Sequence, residues 1–231
     1  MTRTARAFDI GIGCAIVALV AIPFVVVLVI HMIVMRRPWF HPSERMGSPS
    51  QAFVLWKLRS MDPAPGDAGV SGGDKAARIP RWGRILRASR ADEVPQLWNV
   101  FRGDMRLVGP RPPLRIYVDR YPALYDRVLL VSPGLTGLAT IAFHRHERCL
   151  LAACMTAAET DAVYVRRCLP RKARMDLIYL RRQSLLLDLM ILFWTIAALT
   201  LHRRHRLLRR QGAGRIATVT TSACVAERRA A

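Results

Sequence analysis

Acidic side chains are scarce in this chain of 231 residues: 16 Asp and Glu stand against 36 Lys and Arg, for a formal net charge of +20. A balance that basic implies an anionic partner, which can be nucleic acid, a phospholipid surface or a phosphorylated substrate. Paired cysteines are also lacking. Cys14, Cys149, Cys154, Cys168 and Cys224 are odd in number, scattered and form no CxxC pair, so neither a disulfide framework nor a zinc site is supported. They read as buried or idle thiols of a reducing compartment. A long solvating composition is missing too, because 52% of the residues are apolar. The length suits one compact domain of roughly 100 to 200 residues with appendages. His144 and His146 form an HxH pair that can chelate metal on a strand, but beside Arg145 and Glu147 they read as a solvated surface turn.

What is present begins with an apolar run. From Ile10 to Met35 the chain carries no charge, and a helix of that length is about 39 Å long at ~1.5 Å per residue, enough for a ~30 Å hydrocarbon core. The run is too long for the core of a signal peptide and ends at Arg36 and Arg37 rather than at small residues, so it is expected to be retained. Arg3 and Arg6 precede it, so positive charge gives no orientation and both ends look cytoplasmic. Pro23 near its middle favours a kink into two halves of roughly 20 Å each, which can enter one leaflet and return. A straight span stands as the equal alternative on these residues.

Further on, Phe53–Trp56 reads as a short strand or helix start, and the Pro-, Gly- and Asp-rich residues Asp62–Asp74 as a mobile loop. Arg81–Arg90 is a basic helical run. Val94, Leu97, Trp98 and Phe101 recur at helical spacing as core residues, and the chain turns after Val108. Tyr117–Leu130 reads as an amphipathic helix, Pro133–Gly137 as a turn, and Leu150–Arg167 as a helix interrupted before Pro170. Ser184 caps a last apolar helix, Leu185–Leu201, whose one charge, Asp188, argues for docking on the membrane or the domain rather than spanning. His202–Arg215 holds six arginines and no acid, a polybasic tail suited to an anionic leaflet or simply solvated.

The most specific stretch is DEVPQLWNVFRGDMRLVGPRPP, Asp92 to Pro113. A carboxylate can attack phosphorus, a second carboxylate can hold a hard cation, and Arg111 between two prolines offers a planar fork to phosphate oxygens. This stretch resembles the bacterial sugar transferases, the small polyprenyl-phosphate phosphoglycosyl transferases, in which an Asp-Glu pair precedes a Pro-Gln-Leu helix and a Gly-Pro-Arg-Pro turn. Lys57–Met61 is similar to the family's Lys-Phe-Arg-Ser-Met, with Leu58 for phenylalanine. Pro133–Gly137 is similar to its Pro-Gly-Ile-Thr-Gly, although ATIAFHRHE replaces the glutamine-containing continuation and the Asn-Gly-Arg-Asn that often follow. Asp176, Tyr179, Ser184 and Asp188 fall at matching places near the C-terminus.

The resemblance implies an α-rich fold with minor β, built as an N-terminal re-entrant membrane helix (1–37), a compact cytoplasmic catalytic domain with interfacial helices (38–201) and a basic disordered tail (202–231). Ile22 stands where small members of the family carry a serine before the proline, which weakens the topological inference and leaves the chemistry untouched. The implied reaction moves a sugar 1-phosphate from a UDP-sugar to polyprenyl (undecaprenyl) phosphate, at the cytoplasmic face of a bacterial inner membrane, for envelope or exopolysaccharide synthesis. Asp92 is the expected nucleophile and Glu93 the expected ligand of Mg²⁺, the expected cofactor. Lys57, Arg59, Arg87, Arg111, Pro112 and Asp176 are the expected substrate-binding residues. Partners are the UDP-sugar, the polyprenyl phosphate and membrane lipid, with no nucleic acid; neither a homodimer nor the identity of the sugar is fixed by the sequence. Two other readings stay open: a membrane-tethered nucleic-acid-binding protein, and an inactive scaffold of a polysaccharide assembly.

Overall fold

The computed structural model describes residues 3–64 and 69–211, the last of these, 199–211, by backbone path alone. The fold is α-rich with little sheet, as expected. It begins with α1 (Arg3–Val34), a continuous 32-residue helix through Pro23 and about 48 Å along its path. Its composition and length suffice to cross a membrane, yet only Asp9, Gly13 and His31 along it are buried. Leu19, Ile22, Val25, Val26, Val29 and Ile33 are exposed on the outward face.

Both ends of α1 rest on the same domain. At the start, Arg6 donates to the carbonyls of Val100 and Phe101, and Asp9 accepts from Arg106 at 3.0 Å. At the other end, Trp82 Nε1 donates to His31 Nδ1 at 3.1 Å, and His31 Nε2 lies 2.9 Å from the Trp39 carbonyl, to which it donates. The apolar middle is left without protein cover, which suits lipid and not water.

Two strands follow, β1 (Phe40–Met46) and β2 (Ala52–Leu58), paired antiparallel with Phe40 opposite Leu58 and Met46 opposite Ala52. The chain then forms α2 (Arg81–Ser89), α3 (Gln96–Arg102), β3 (Arg106–Val108), α4 (Arg115–Arg120), α5 (Pro122–Val128) and β4 (Gly134–Thr136). The helices α6 (Leu138–Leu151), α7 (Ala157–Val163), α8 (Leu169–Arg182) and α9 (Leu185–Gln211) complete it. β3 and β4 pair in parallel, Arg106 opposite Gly134 and Val108 opposite Thr136.

The core has two parts. One gathers Tyr117, Tyr125, Phe143, Tyr164, Leu169 and Ala173 between α4, α5, α6 and α8. The other gathers Leu55, Leu97, Val100, Leu107, Tyr179 and Ile191, with Ile12 and Ile16 of α1 packed against it.

Several sequence expectations require correction. Trp98 is 60% exposed, because α3 turns Gln96, Leu97, Asn99 and Val100 inward instead. The helix expected over Tyr117–Leu130 is two, because Tyr121 (φ −132°, ψ 58°) leaves helical geometry before Pro122, which starts α5. Pro133–Gly137 contains a strand. The helix expected over Leu150–Arg167 ends α6 at Leu151, and α7 begins anew on a Thr156 cap that accepts from Glu159 N at 3.1 Å. A π-turn, Tyr164–Cys168, then carries the chain into α8 with Pro170 in its first turn, where a missing N–H costs no bond. The last helix runs past Leu201 to Gln211, so the expected tail begins inside α9; residues 212–231 lie outside the described residues.

Asp188 is explained by a buried cluster. Arg106, 4% exposed, donates from Nε to Asp9 at 3.0 Å and from Nη2 to Asp188 at 2.9 Å, while Tyr179 donates to the second oxygen of Asp188 at 2.7 Å. The face of α9 opposite Asp188 and Ile191 exposes Leu186, Leu189, Met190, Phe193 and Trp194. One guanidinium therefore fastens both apolar helices to β3. Removing one member of a buried ion group strands its partners and costs about 3 to 5 kcal/mol, whereas replacing the whole group with apolar residues can be nearly neutral. Arg106→Leu is expected to destabilise the protein by about that amount in denaturant titrations in micelles, and the triple change Asp9→Leu, Arg106→Met, Asp188→Leu to recover most of it. Equal stability of wild type and Arg106→Leu would contradict this assignment.

Candidate active site

The residues Asp92 and Glu93 form a short 3-10 turn, Ala91–Glu93, wedged between α2 and α3. The turn is sharp because Arg90, which closes α2, adopts a left-handed conformation (φ 59°, ψ 15°) unusual for a residue with a side chain. That bend turns Arg90 back over the acids, where Nη1 meets Glu93 Oε2 at 2.9 Å.

The GPRP turn brings Arg111 to the other oxygen, Nη2 to Glu93 Oε1, at 2.5 Å. Its backbone is held by the turn after Leu129. Gly109 N donates to Thr136 O at 2.9 Å and Gly134 N donates to Pro110 O at 2.7 Å. A Cβ on Gly134 would lie 2.1 Å from Gly109 N, and one on Gly137 would lie 2.1 Å from Gly109 O, so both positions need glycine for close backbone approach. The Pro-Gly-Leu-Thr-Gly segment thus acts as the backing for Arg111.

Arg87 is aimed from α2 by Ser60, whose Oγ accepts from Arg87 Nε at 2.9 Å. Gly83 makes this possible, since a Cβ there would lie 2.0 Å from Ser60 O. Lys57 on β2 feels Arg45, Arg111, Arg87 and Asp92, which places it inside the same cluster.

Two adjacent carboxyls diverge in this setting. Burial pushes Asp92 up to about 6, with the charge of Glu93 adding to the rise and Arg87, Lys57 and Arg90 opposing it. Burial also works to raise Glu93, but the charges and hydrogen bonds of Arg111 and Arg90 overcome it and hold that carboxyl down at about 2. Lys57 falls to about 8, mainly through burial and then through Arg45, Arg111 and Arg87. The result is one locked carboxylate beside one that titrates, ringed by cations. Asp92 Oδ1 is buried without a hydrogen-bond partner.

The structure brings Lys57, Arg87 and Arg111 together with Asp92 and Glu93, and it does not bring all the expected residues there. Arg59 turns away: it donates to the Arg36 carbonyl and lies 3.9 Å from Asp62, tying β2 to the end of α1. Pro112 contributes its carbonyl, which accepts from Arg45 Nη1 at 3.4 Å. Asp176 sits in α8, where burial raises it to about 7 against the opposing charge of Lys172; its other neighbours are Tyr125 and Tyr164, not the acids of the turn.

Sequence reasoning missed Arg45 and Arg90. Arg45, on β1, is lowered to about 10 by burial and then by Arg111, so it faces the same cluster from across the hairpin. Nothing local in the sequence marks it, because its place is set by pairing with β2. Arg90 had a local signal, three residues before Glu93, at the end of a basic helix. His144 and His146 lie in α6 and not in a surface turn. Each ring accepts from an arginine, His144 Nε2 from Arg148 at 2.6 Å and His146 Nε2 from Arg171 at 2.9 Å, and residues two apart on a helix diverge, so they do not chelate. Burial, then Arg90, Arg148 and Arg111, depress His144 to about 3 and keep it neutral beside the site.

Among the described residues no three His, Cys, Asp or Glu side chains converge, so these residues form no closed metal cage. Mg²⁺ needs less than that, since it takes one or two carboxylates and completes its shell with substrate phosphate and water. Glu93, ionised, and Asp92, with a bare oxygen, are a fitting oxygen donor set; each Glu93 oxygen spends one lone pair on a guanidinium and keeps another.

The raised Asp176 gives a stability test. Its folded value of about 7 lies above the ordinary 3.8 of an aspartate in water, so the folded state holds the proton more tightly and loses stability as pH rises from about 4 to about 7. Asp176→Asn is expected to gain on wild type in melting temperature across that window and to hold the gain above it. A constant difference between the two proteins from pH 4 to 8 would contradict the burial of an ionisable carboxyl there.

Residues 1–202 match the family model of the bacterial sugar transferases. The UDP-glucose:undecaprenyl-phosphate glucose-1-phosphate transferase of Klebsiella pneumoniae is 31% identical over 195 residues, 83% of this chain and 39% of the relative. The UDP-N-acetylgalactosamine-undecaprenyl-phosphate N-acetylgalactosaminephosphotransferase of Aeromonas hydrophila is 31% identical over 188 residues, 78% of this chain and 40% of the relative. A UDP-glucose:undecaprenyl-phosphate glucose-1-phosphate transferase of Caulobacter vibrioides is 36% identical over 156 residues, 66% of this chain and 52% of the relative. The chain thus spans about two fifths to one half of the length of these relatives. With a family match that covers its long apolar helix, its acidic turn and its GPRP turn, the chain belongs to the bacterial sugar transferase family.

Proposed function

We propose that the chain transfers a sugar 1-phosphate from a UDP-sugar to undecaprenyl phosphate through a covalent intermediate on Asp92. The observation that carries this reading is the split pair: a carboxyl raised to about 6 beside one held at about 2, inside a ring of Lys57, Arg87, Arg90 and Arg111. Such a ring suits a diphosphate, whose attacked, bridging and leaving oxygens are all anionic. The names of the relatives, which pair UDP-sugars with undecaprenyl phosphate, support the same reaction.

In the first step an Asp92 oxygen attacks the β-phosphorus of the UDP-sugar, the bond from that phosphorus to the bridging oxygen breaks, and UMP departs with the electron pair. The enzyme then carries sugar phosphate as a mixed anhydride. In the second step a phosphate oxygen of the lipid attacks the same phosphorus, Asp92 leaves as carboxylate, and polyprenyl-diphospho-sugar forms. Arg87, Lys57 and Arg90 stabilise charge around Asp92, and Arg111 and Arg45 face the outgoing phosphate. Glu93, with Asp92 alongside, would hold Mg²⁺, which would supply charge neutralisation at the diphosphate oxygens.

The anchoring of both ends of α1 on one domain supports the re-entrant topology, with the catalytic domain at the cytoplasmic face of a bacterial inner membrane. A helix that spans must deliver one end to the far side, and here Asp9 and His31 both dock on the same body. The lipid acceptor's phosphate is confined to the headgroup plane, so a site fixed at that plane meets it without extraction.

Purified protein incubated with a panel of UDP-sugars, Mg²⁺ and undecaprenyl phosphate is expected to release UMP with one or a few donors. Asp92→Asn is expected to reduce that release by roughly three orders of magnitude or more, and turnover persisting in that variant would remove the nucleophile assignment. Glu93→Gln is expected to lose its response to Mg²⁺. Because Asp92 must be ionised to attack, the rate is expected to rise with pH through about 6.

A further inference from the structure

Among the described residues, three buried side-chain polar atoms have no hydrogen-bond partner: Arg59 Nε, Asp92 Oδ1 and Gln96 Nε2. The last two are an acceptor and a donor one helical turn apart. Val94 (φ −55°, ψ −39°) and Pro95 (φ −59°, ψ −18°) join the 3-10 turn to α3 with helical dihedrals, and the backbone bonds across the junction run three residues back, as in Leu97 N to Val94 O at 3.0 Å. A long side chain in such a segment leans back toward the N-terminus over the residues three and four before it, which for Gln96 are Glu93 and Asp92. Both oxygens of Glu93 already accept from a guanidinium, Arg90 on one and Arg111 on the other, whereas Asp92 Oδ1 has no partner. Asn99, the next buried amide on α3, does not compete, because its Nδ2 donates to Val54 O at 2.8 Å and to Asp104 at 2.9 Å.

Gln96 is 2% exposed and Asp92 7%, so bulk solvent does not reach these two atoms. A buried donor and a buried acceptor left unmade are costly, and the cheapest remedy for both is each other. Hydrogen bonds in catalytic sites are often too long in the free protein and tighten when substrate is bound.

We infer that Gln96 is a positioning residue whose side-chain amide donates to Asp92 Oδ1 in the working enzyme, fixing the carboxylate plane so that Oδ2 faces the phosphorus under attack. Gln96 touches neither substrate nor metal in this role. The inference deepens the reading of Asp92 as nucleophile and rests on it. It predicts that the amide affects the attack step and leaves donor binding alone.

The test is the rate at which covalent adduct forms with UDP-sugar and Mg²⁺ but no lipid acceptor, followed by intact mass at saturating donor, with donor Kd measured in parallel. Wild type is expected to form the adduct and Asp92→Asn to form none. Gln96→Met, similar in size but without a donor, is expected to bind donor as wild type does and to form adduct about 10- to 100-fold more slowly. Gln96→Glu is expected to be slower still, since it sets a second carboxylate against Asp92. Wild-type adduct rates in Gln96→Met, or a loss traced wholly to weaker donor binding, would overturn the role of Gln96 and leave Asp92 standing. Absence of adduct in wild type would instead sink the nucleophile reading, and this inference with it. If Gln96→Met does not fold, the side-chain amide protons of Gln96 in glutamine-labelled wild type decide the matter: a downfield shift relative to Asp92→Asn supports the hydrogen bond, and identical shifts refute it.

Discussion

A single buried guanidinium, Arg106 between Asp9 and Asp188, fixes the two long apolar helices of this molecule against one strand. A charge in that place is tolerable only because two carboxylates and the Tyr179 hydroxyl complete its surroundings. Each carboxylate comes from an otherwise apolar helix, so the pairing cannot form unless α1 and α9 both lie against β3. Their remaining apolar faces then point outward together. The same strand runs from Arg106 through Val108 into the GPRP turn, and Arg106 N donates to Pro133 O at 2.7 Å, so the element that fixes the two apolar helices also leads into the turn that carries Arg111.

The site follows from opposing effects of burial and charge. Removal from water raises both acids of the turn, and the difference between them is made by which cations each meets. Glu93 receives two direct guanidinium contacts, whereas Asp92 feels its cations at longer range and keeps one oxygen bare. Adjacency in sequence therefore produces two distinct groups, one a fixed anion and the other a raised carboxyl with an unpartnered oxygen. Arg45, from the β1–β2 hairpin, and His144, from α6, close the cluster on the sides that the sequence motif does not reach.

Local chemistry was what the sequence expressed clearly. The Asp92–Pro113 stretch carried the acidic turn, α3 and the GPRP turn in order, and the apolar run before Arg36 carried α1. What escaped depended on distant partners. Trp98 has helical spacing with Leu97 and Phe101 but falls outside the buried face, which is defined by Asn99 bonding to β2. Pro170 reads as a breaker, yet it opens α8 because a π-turn delivers the chain into helix geometry just before it. Arg59 belongs to the same short motif as Lys57 but points to the end of α1, since residues two apart share a face only while the strand continues, and β2 ends at Leu58. Asp188, an acid in an apolar helix, was the one local oddity that announced a long-range pairing.

The central claim is that the glycosyl phosphate leaves its nucleotide before the lipid arrives. Isotope exchange measures this directly: radiolabelled UMP is mixed with enzyme, Mg²⁺ and unlabelled UDP-sugar, with no polyprenyl phosphate present, and label is followed into UDP-sugar. A covalent Asp92 intermediate predicts exchange at a rate comparable to full turnover. Exchange that appears only when polyprenyl phosphate is added, from an enzyme that turns over normally, would contradict it.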